Sequence, residues 1–199
     1  MTTAPQHPLS RHFYTMACNN AWANHRLLKA CSQLSQEEFV ATRTGFFPTI
    51  KATLNHILTV DWFYIDALER ELRGEVPHPN YRDAFFSVEE PFDTCAALRA
   101  EQAKADRRLI EYCRQLRDDT LGRTVTILRT KGPQHDSRTR LLAHLFQHQI
   151  HHRGQVHAML AGTHVAPPQL DDFFCAGDAP LRTADFVELG WTEASIWGE

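Results

Sequence analysis

The stretch HLFQHQIHHRGQVHAML, residues 144–160, holds five of the chain's twelve histidines. Successive residues of an α-helix are rotated by ~100°, and this rotation gives the stretch and its flanks one apolar stripe. The stripe consists of Leu141, Leu145, His148, His152, Val156 and Met159. His148 and His152 therefore point where the apolar side chains point. The stretch predicts a long helix that carries two aligned imidazoles on its buried face.

Two imidazoles four residues apart on one helix face lie ~5–6 Å from each other, close enough to bind one divalent metal ion. Imidazole is the commonest metal ligand of proteins at neutral pH. The alternative is that both are core histidines, but their ring nitrogens must then be satisfied away from water. His151 is the main rival ligand, although it lies ~100° away from His152 around the helix. The pair favours a metal site.

Three other segments show the periodicity of long amphipathic helices, and they cover residues 10–33, 48–73 and about 91–116. The histidine-rich helix extends from about residue 137 to 161. The candidate boundary residues are Ser10 as an N-cap, Pro48 and Pro91 in first turns, and Gly74 and Gly162 after helix ends. Four long helices without a convincing sheet predict an all-α four-helix bundle, formed by a single domain over residues 1–199.

The connections between these helices are long. Residues 75–90 are predicted to form a loop, and the sequence SQEE at 35–38 fits a capping box that starts a short helical turn. Residues 124–130, TVTILRT, have a β-like composition and suggest an extended connection or a small hairpin. Residues 166–180 are rich in proline and are predicted to begin an irregular C-terminal tail. Residues 186–197 are predicted to contain a short helix whose Trp191 and Trp197 pack on the bundle.

The second long helix offers a third imidazole. His56 lies on a stripe with Val60, Phe63 and Ala67, so it points into the interior. One histidine in such a stripe is ordinarily a core residue. Beside the pair on the last long helix, His56 becomes the natural third ligand.

Composition narrows the class of protein. The 199 residues carry a net charge of −3 with both signs interspersed, which gives no electrostatic footprint for nucleic acid. No apolar run approaches the ~18 residues that a membrane span needs, and the N-terminus lacks the apolar core of a secretory signal. The five cysteines are scattered and form no CxxC pair, which is typical of reduced thiols in a cytoplasmic protein.

Polar residues elsewhere receive simpler interpretations. Asn20 and Asn24 lie near the inner face of the first helix, where they could hydrogen-bond to another helix. The charged residues of the third helix, Asp106 among them, are interpreted as a solvated face. Arg153 is interpreted as part of a surface salt bridge, with contact to an anionic substrate group as the alternative.

Four pieces of the sequence together resemble the DinB/YfiT-like superfamily. They are NNAWANHRLL (19–28), LNHILTVDWFYIDAL (54–68), HLFQHQIHHRGQVHAML (144–160) and APPQLDDFF (166–174). The pattern H-x-x-H-H-R-G-Q, here residues 148–155, is the most specific of them. The resemblance implies a four-helix bundle, often a homodimer, that holds a divalent metal ion with one histidine of the second helix and two of the fourth. Carried over to this sequence, the ligands are His56, His148 and His152.

Three neutral imidazoles leave coordination positions for water or substrate, as in catalytic zinc sites. Such ligands suit Zn, Ni or Fe, and an ion held by them can polarise an oxygen or sulfur atom of a substrate. Relatives within the superfamily include transferases and isomerases that use a low-molecular-weight thiol, and others are described only as candidate metal-dependent hydrolases. The expectation is therefore a cytoplasmic, metal-dependent transferase or hydrolase that acts on a small-molecule substrate.

Two alternatives stay open at this point. One is a non-catalytic, stress-related protein whose histidines bind a metal ion or a small ligand. The other treats the histidines as polar core residues without a metal. The sequence identifies no general base and no residue that binds a thiol cofactor.

Overall fold

Helices dominate the structure, a computed structural model that describes residues 8–198. In chain order the elements are α1 (Leu9–Cys31), α2 (Gln36–Val40), α3 (Ile50–Arg73), α4 (Tyr81–Phe86), α5 (Cys95–Arg114), β1 (Thr124–Arg129), β2 (Gly132–Ser137), α6 (Arg138–Leu160), α7 (Ala179–Leu189) and α8 (Glu193–Trp197). The expectation about a secretory signal concerns mainly residues 1–7, which lie outside the described residues. None of the helices within residues 8–198 has the length and apolarity needed to cross a membrane.

The four long helices pack on one another around a shared apolar core. α1 contacts α5 and α6, and α3 contacts the same two helices. Trp22, Leu27, Leu58, Leu68 and Leu145 are among the fully buried side chains of this core. Burial of apolar surface at ~25 cal/mol per Å² is the main force that holds such helices together. The packing brings α3 and α6 side by side, and these two helices carry the predicted ligands.

A small antiparallel hairpin, one of the two forms expected for residues 124–130, precedes α6 and adds a two-stranded sheet to a mostly helical fold. β1 pairs with β2 from Thr124 opposite Ser137 to Arg129 opposite Gly132. Gly132, at the turn, has φ 113°, a conformation that favours glycine. The hairpin has a core to pack on, because β1 buries Val125 and Ile127 and contacts α3. This burial explains why the β-like segment forms a strand.

Several helix boundaries were predicted correctly. Ser137 caps α6 by accepting a hydrogen bond from the Arg140 amide at 3.2 Å. The capping box at residues 35–38 is present at the start of α2. Gly74 ends α3 in the left-handed conformation with φ 71°. These boundaries could be predicted because each depends on residues that are adjacent in the sequence.

The predicted N-cap of α1 is wrong. α1 begins at Leu9, so Ser10 already lies inside the helix. The carboxylate of Asp118 accepts hydrogen bonds from the amides of Leu9 and Ser10 at 3.1 and 2.8 Å. A residue more than one hundred positions away therefore caps this helix, and no local pattern reveals it.

The segment between α3 and α5 also differs from prediction. The predicted loop contains the short helix α4, and α5 begins at Cys95 with Thr94 as its N-cap, not at Pro91. Asn55 of α3 explains why α5 begins after Pro91, because its side chain forms two hydrogen bonds of 2.9 Å with the backbone of Phe92. These bonds hold the chain extended next to Pro91.

The C-terminal segment is more ordered than predicted. It contains the two helices α7 and α8, which Gly190 separates by adopting φ 71°. Trp191 and Trp197 pack against the core, as predicted. Gly162 does not end α6 in a left-handed conformation; the helix closes on Ala161 in the right-handed region, and tight turns at residues 162 and 163 follow.

Candidate metal centre

The three predicted ligands meet between α3 and α6. His56 comes from α3, and His148 and His152 come from successive turns of α6. One ring nitrogen from each lies within 4.8 Å of the other two. The ring centroids are 4.4–5.0 Å apart. The prediction that these residues come together is confirmed.

An ion pair helps to fix α6 beside α3. Arg138, the first residue of α6, is fully buried and its Nε donates to Glu71 of α3 at 2.6 Å. Farther along the same interface the rings of Tyr64 and His144 are 5.2 Å apart. Later residues of α3 thus face earlier residues of α6, so the two helices are antiparallel. This arrangement places His56 opposite the two histidines of α6.

The separation of one pair of ring nitrogens fits a shared divalent ion. The Nε2 atoms of His56 and His148 are 3.0 Å apart. With metal–nitrogen bonds of ~2.0–2.1 Å, two imidazole ligands are separated by ~3.3 Å in a tetrahedral site and by ~2.9 Å at a right angle. A separation of 3.0 Å lies within this interval. Within residues 8–198, the cluster of potential ligands contains these three histidines and no fourth side chain.

Gln155 determines which nitrogen of His152 faces the cluster. The Nδ1 of His152 lies 2.8 Å from the Oε1 of Gln155, and an amide oxygen can only accept. The Nδ1 therefore carries the proton, and the lone pair of Nε2 is free for a ligand. The amide nitrogen of Gln155 donates to Nε2 of His151 at 3.2 Å. His151, the rival ligand, is exposed and lies outside the cluster.

Burial keeps the imidazoles uncharged. Together with charge repulsion from the neighbouring histidines, it lowers the pKa of His56 to about 4 and that of His148 to about 3. Burial also lowers the pKa of His152. A neutral imidazole is the form that binds a metal ion. The buried Nδ1 of His148 has no hydrogen-bond partner among the described residues, so this ring is oriented by packing.

An open cavity adjoins the cluster. The ring of Phe47 lies 4.4 Å from that of His56 and 5.6 Å from that of His152. A cavity of about 290 Å³ begins here, with His56 in its wall. Its other lining residues are Phe47, Ala52, Thr59, Phe85, Phe86, Val88, Glu89 and Glu90. The cluster is thus accessible from an aromatic cavity with an acidic rim.

A buried polar network lies beside the histidines. The expectation that Asn20 and Asn24 hydrogen-bond to another helix is confirmed, but the sequence interpretation missed the rest of the network. Its members come from all four long helices: Asn20 and Asn24 of α1, Asp61 of α3, Gln102 and Asp106 of α5, and Gln149 and Arg153 of α6. The interpretations of Arg153 as a surface residue and of Asp106 as part of a solvated face are wrong, since their exposed fractions are 4% and 6%.

The network holds one guanidinium near enough to two carboxylates for their charges to interact. Arg153 donates to the side-chain oxygens of Asn20, Asn24 and Gln149. Asp106 accepts from three amide groups, and Asp61 accepts from Gln102 at 2.7 Å. Burial raises the pKa of Asp61 to about 7 and that of Asp106 to about 6, and it lowers the pKa of Arg153 to about 10.

Helical phase contains the signal that would have revealed the network. Gln102 continues the stripe of Leu98, Ala105 and Leu109 on α5. On α6 a second buried stripe consists of Leu142, Phe146, Gln149, Arg153, Val156 and Leu160. A charged residue in the middle of such a stripe indicates a buried, partnered charge.

Comparison with known proteins gives the family. The sequence model of the DinB family matches residues 9–177. The chain belongs to the DinB family. A DinB-like protein from Bacillus cereus ATCC 10987 has a similar crystal structure, with a TM-score of 0.53 and 17% identity over 74% of this chain and 90% of that chain. At 17% identity, the likeness to this crystal structure shows only that the two proteins share a fold. No curated protein matches the chain.

Proposed function

We propose that this DinB-family protein is a metal-dependent enzyme that acts on small molecules, with transferase or hydrolase chemistry. The Nε2 atoms of His56, His148 and His152 would hold one divalent ion. One observation carries the proposal: three uncharged imidazoles converge within 4.8 Å, and one of them, that of His56, lies in the wall of an open cavity. A purely structural site would instead be closed by a fourth protein ligand.

The ion would act as a Lewis acid toward an oxygen or sulfur atom of the substrate. The protein's own residues supply the surroundings. Phe47 covers two of the imidazoles and limits the access of water to them. Gln155 holds His152 in the tautomer that presents Nε2. The aromatic walls of the adjoining cavity favour an apolar portion of the substrate close to the reacting atom.

The proposal also covers the metal, the co-substrate and the assembly of the protein. Imidazole ligands are compatible with Zn, Ni or Fe, and a low-molecular-weight thiol fits as the co-substrate because an accessible ion of this kind binds sulfur. The packing of α1, α3, α5 and α6 supports a four-helix bundle of the DinB type. We also propose that the protein forms a homodimer and acts in the cytoplasm.

The test begins with metal content. Protein purified without a histidine tag or chelator should contain about one equivalent of a divalent metal by elemental analysis. His148→Ala should remove it, and His151→Ala should retain it, because His151 lies outside the cluster. Less than about a tenth of an equivalent in the unmodified protein, after incubation with zinc, nickel and iron salts, would overturn the proposal.

Turnover then separates an enzyme from a binding protein. The metal-loaded protein is incubated with a panel of thiols and electrophiles, and with ester and amide substrates. Turnover that His148→Ala abolishes and His151→Ala keeps supports the enzyme. Metal binding without turnover across the panel would favour the non-catalytic alternative.

A further inference from the structure

A second cavity, of about 530 Å³, opens where α4 meets the tip of the β1–β2 hairpin. Its lining includes Tyr81, Arg82, Asp83, Phe86, Arg129 and Thr130. Phe86 also lines the cavity beside His56, so the two cavities are neighbours. The second cavity is a candidate for the part of a ligand that extends beyond the metal centre.

Two arginines in this cavity are held in place without acidic partners. The guanidinium of Arg129 stacks on the rings of Phe63 and Tyr64, 5.2 and 5.4 Å from their centroids, and donates to the Tyr64 hydroxyl. Arg82 donates to the side chains of Thr130 and Tyr81. Among residues 8–198, neither guanidinium has a carboxylate within ion-pair distance.

The charge of the cavity is positive. Asp83 also lines it, and its single carboxylate faces two guanidinium groups. Stacking on aromatic rings and hydrogen bonds to neutral hydroxyls orient a guanidinium but leave its charge uncompensated. A guanidinium group oriented in this way matches a carboxylate, to which it can donate two parallel hydrogen bonds. The two arginines therefore have the chemistry of an anion site.

A chain of side-chain contacts connects the arginines with the histidines. Arg129 contacts Tyr64, whose ring is 5.2 Å from that of His144, and the ring of His144 is 6.3 Å from that of His148. The guanidinium of Arg129 also stacks on Phe63, which follows His56 by seven residues on α3. At 1.5 Å per residue, this spacing puts the guanidinium on the order of 10 Å from the cluster along the axis of α3.

We propose that Arg82 and Arg129 bind the carboxylate of the substrate whose other end reaches the three histidines. The substrate class is then an elongated molecule with a metal-binding oxygen or sulfur and a carboxylate about 10 Å away. This proposal rests on the proposed metal-dependent function. It adds the charge and the length of the substrate, which the metal centre alone does not specify.

The test uses two probes that differ in one terminal group, 6-mercaptohexanoate and 6-mercaptohexan-1-ol. Their dissociation constants are measured by calorimetry on zinc-loaded protein at about 0.15 M salt. The unmodified protein should bind the acid about ten-fold more tightly than the alcohol, as expected for one or two charge-assisted hydrogen bonds. Arg129→Gln should abolish this preference and leave the affinity for the alcohol unchanged.

Arg123→Gln is the matched control. Arg123 is exposed near the opposite end of the hairpin, and its replacement removes the same charge. This variant should keep the ten-fold preference. Equal affinities for the two probes in the unmodified protein, or an equal loss in both variants, would overturn the proposal.

A failure of the metal centre gives a different result. Protein that does not retain zinc contradicts the proposed function, and the same two probes are then measured on the metal-free protein. A preference for the acid that depends on Arg129 would still support the arginine site. No preference there would overturn it.

Discussion

Gln155 Oε1 accepts a hydrogen bond of 2.8 Å from Nδ1 of His152, and so fixes the tautomer of one candidate metal ligand. We therefore expect Gln155→Ala to lower the metal affinity by about 10–100-fold, the usual effect of removing such a partner. Competition with a chromophoric chelator measures the change.

Gln147 provides the control for this prediction, because it is an exposed glutamine on the same helix. Gln147→Ala should leave the metal affinity unchanged. Gln155→Glu keeps an acceptor next to Nδ1 and should retain or raise the affinity. An affinity that is insensitive to all three substitutions would show that packing alone orients His152.

The loop that carries Phe47 is tightly packed at Gly45. A Cβ atom at Gly45 would lie 2.7 Å from Cε of Met159 and 2.9 Å from the carbonyl oxygen of Phe47. The methionine can move, but the backbone carbonyl cannot without displacing the loop. Gly45→Ala should lower the free energy of unfolding by about 1–3 kcal/mol. Denaturant unfolding measures this loss.

Gly154 on α6 has room for a Cβ atom, so Gly154→Ala serves as the comparison for Gly45→Ala. Among residues 8–198, no atom beyond the local helix backbone lies within 4 Å of a Cβ atom at this position. Gly154→Ala should raise the free energy of unfolding by about 0.5–1 kcal/mol, because alanine loses less backbone entropy in a helix. The same sign for both substitutions would contradict the packing at Gly45.

Arg153 is the single positive charge in the buried network. Arg153→Met would leave the carboxylates of Asp61 and Asp106 without a counter-charge and would remove hydrogen-bond donors from two asparagines. The free energy of unfolding should fall by about 3–5 kcal/mol. Arg117→Met removes an arginine that pairs with Asp119 at the surface and should leave the free energy of unfolding nearly unchanged. Similar losses in both variants would mean that Arg153 is not the counter-charge of the network.

Asp61 should make stability depend on pH. Burial raises its pKa to about 7 in the folded protein, from 3.8. A raised pKa means that the folded state retains the proton, so the stabilisation is complete below pH 3.8 and is lost as the pH rises through 7. Asp61→Asn lacks this titration.

The measurement is the difference in the free energy of unfolding between the unmodified protein and Asp61→Asn, at pH values from 4 to 8. The difference should shift in favour of the variant as the pH rises, by up to about 4 kcal/mol, the limit set by the two pKa values. A difference that does not change with pH would show that Asp61 ionises normally.

The helices and the histidine cluster could be predicted because both depend on helical phase. His56, His148 and His152 each continue an apolar stripe, and stripes are visible in the sequence. The start of α1 could not be predicted, since its cap, Asp118, comes from a distant segment. The chemistry at the cluster depends on an ion and a substrate, which the stripes do not identify.

The buried network shows a second limit of sequence patterns. Asp106 lies among charged residues of α5 and looks like one of a solvated group, yet Asn20, Asn24 and Gln102 surround it. Its burial follows from the packing of α1 against α5, and each partner is unremarkable by itself. Helical phase indicates the burial of Gln102 and Arg153, but tertiary contacts are needed to distinguish Asp106 from the exposed acids around it.

Ser137 is both the last residue of β2 and the N-cap of α6, so no spacer separates the hairpin from the histidine-bearing helix. One residue inserted after Ser137 would turn α6 by ~100° relative to the strand and carry His148 and His152 away from His56. An insertion at the hairpin tip, between Thr130 and Lys131, would leave that rotation untouched. The junction thus sets the rotation of α6 relative to β2. The number of residues at the junction is therefore far more constrained than the number at the hairpin tip.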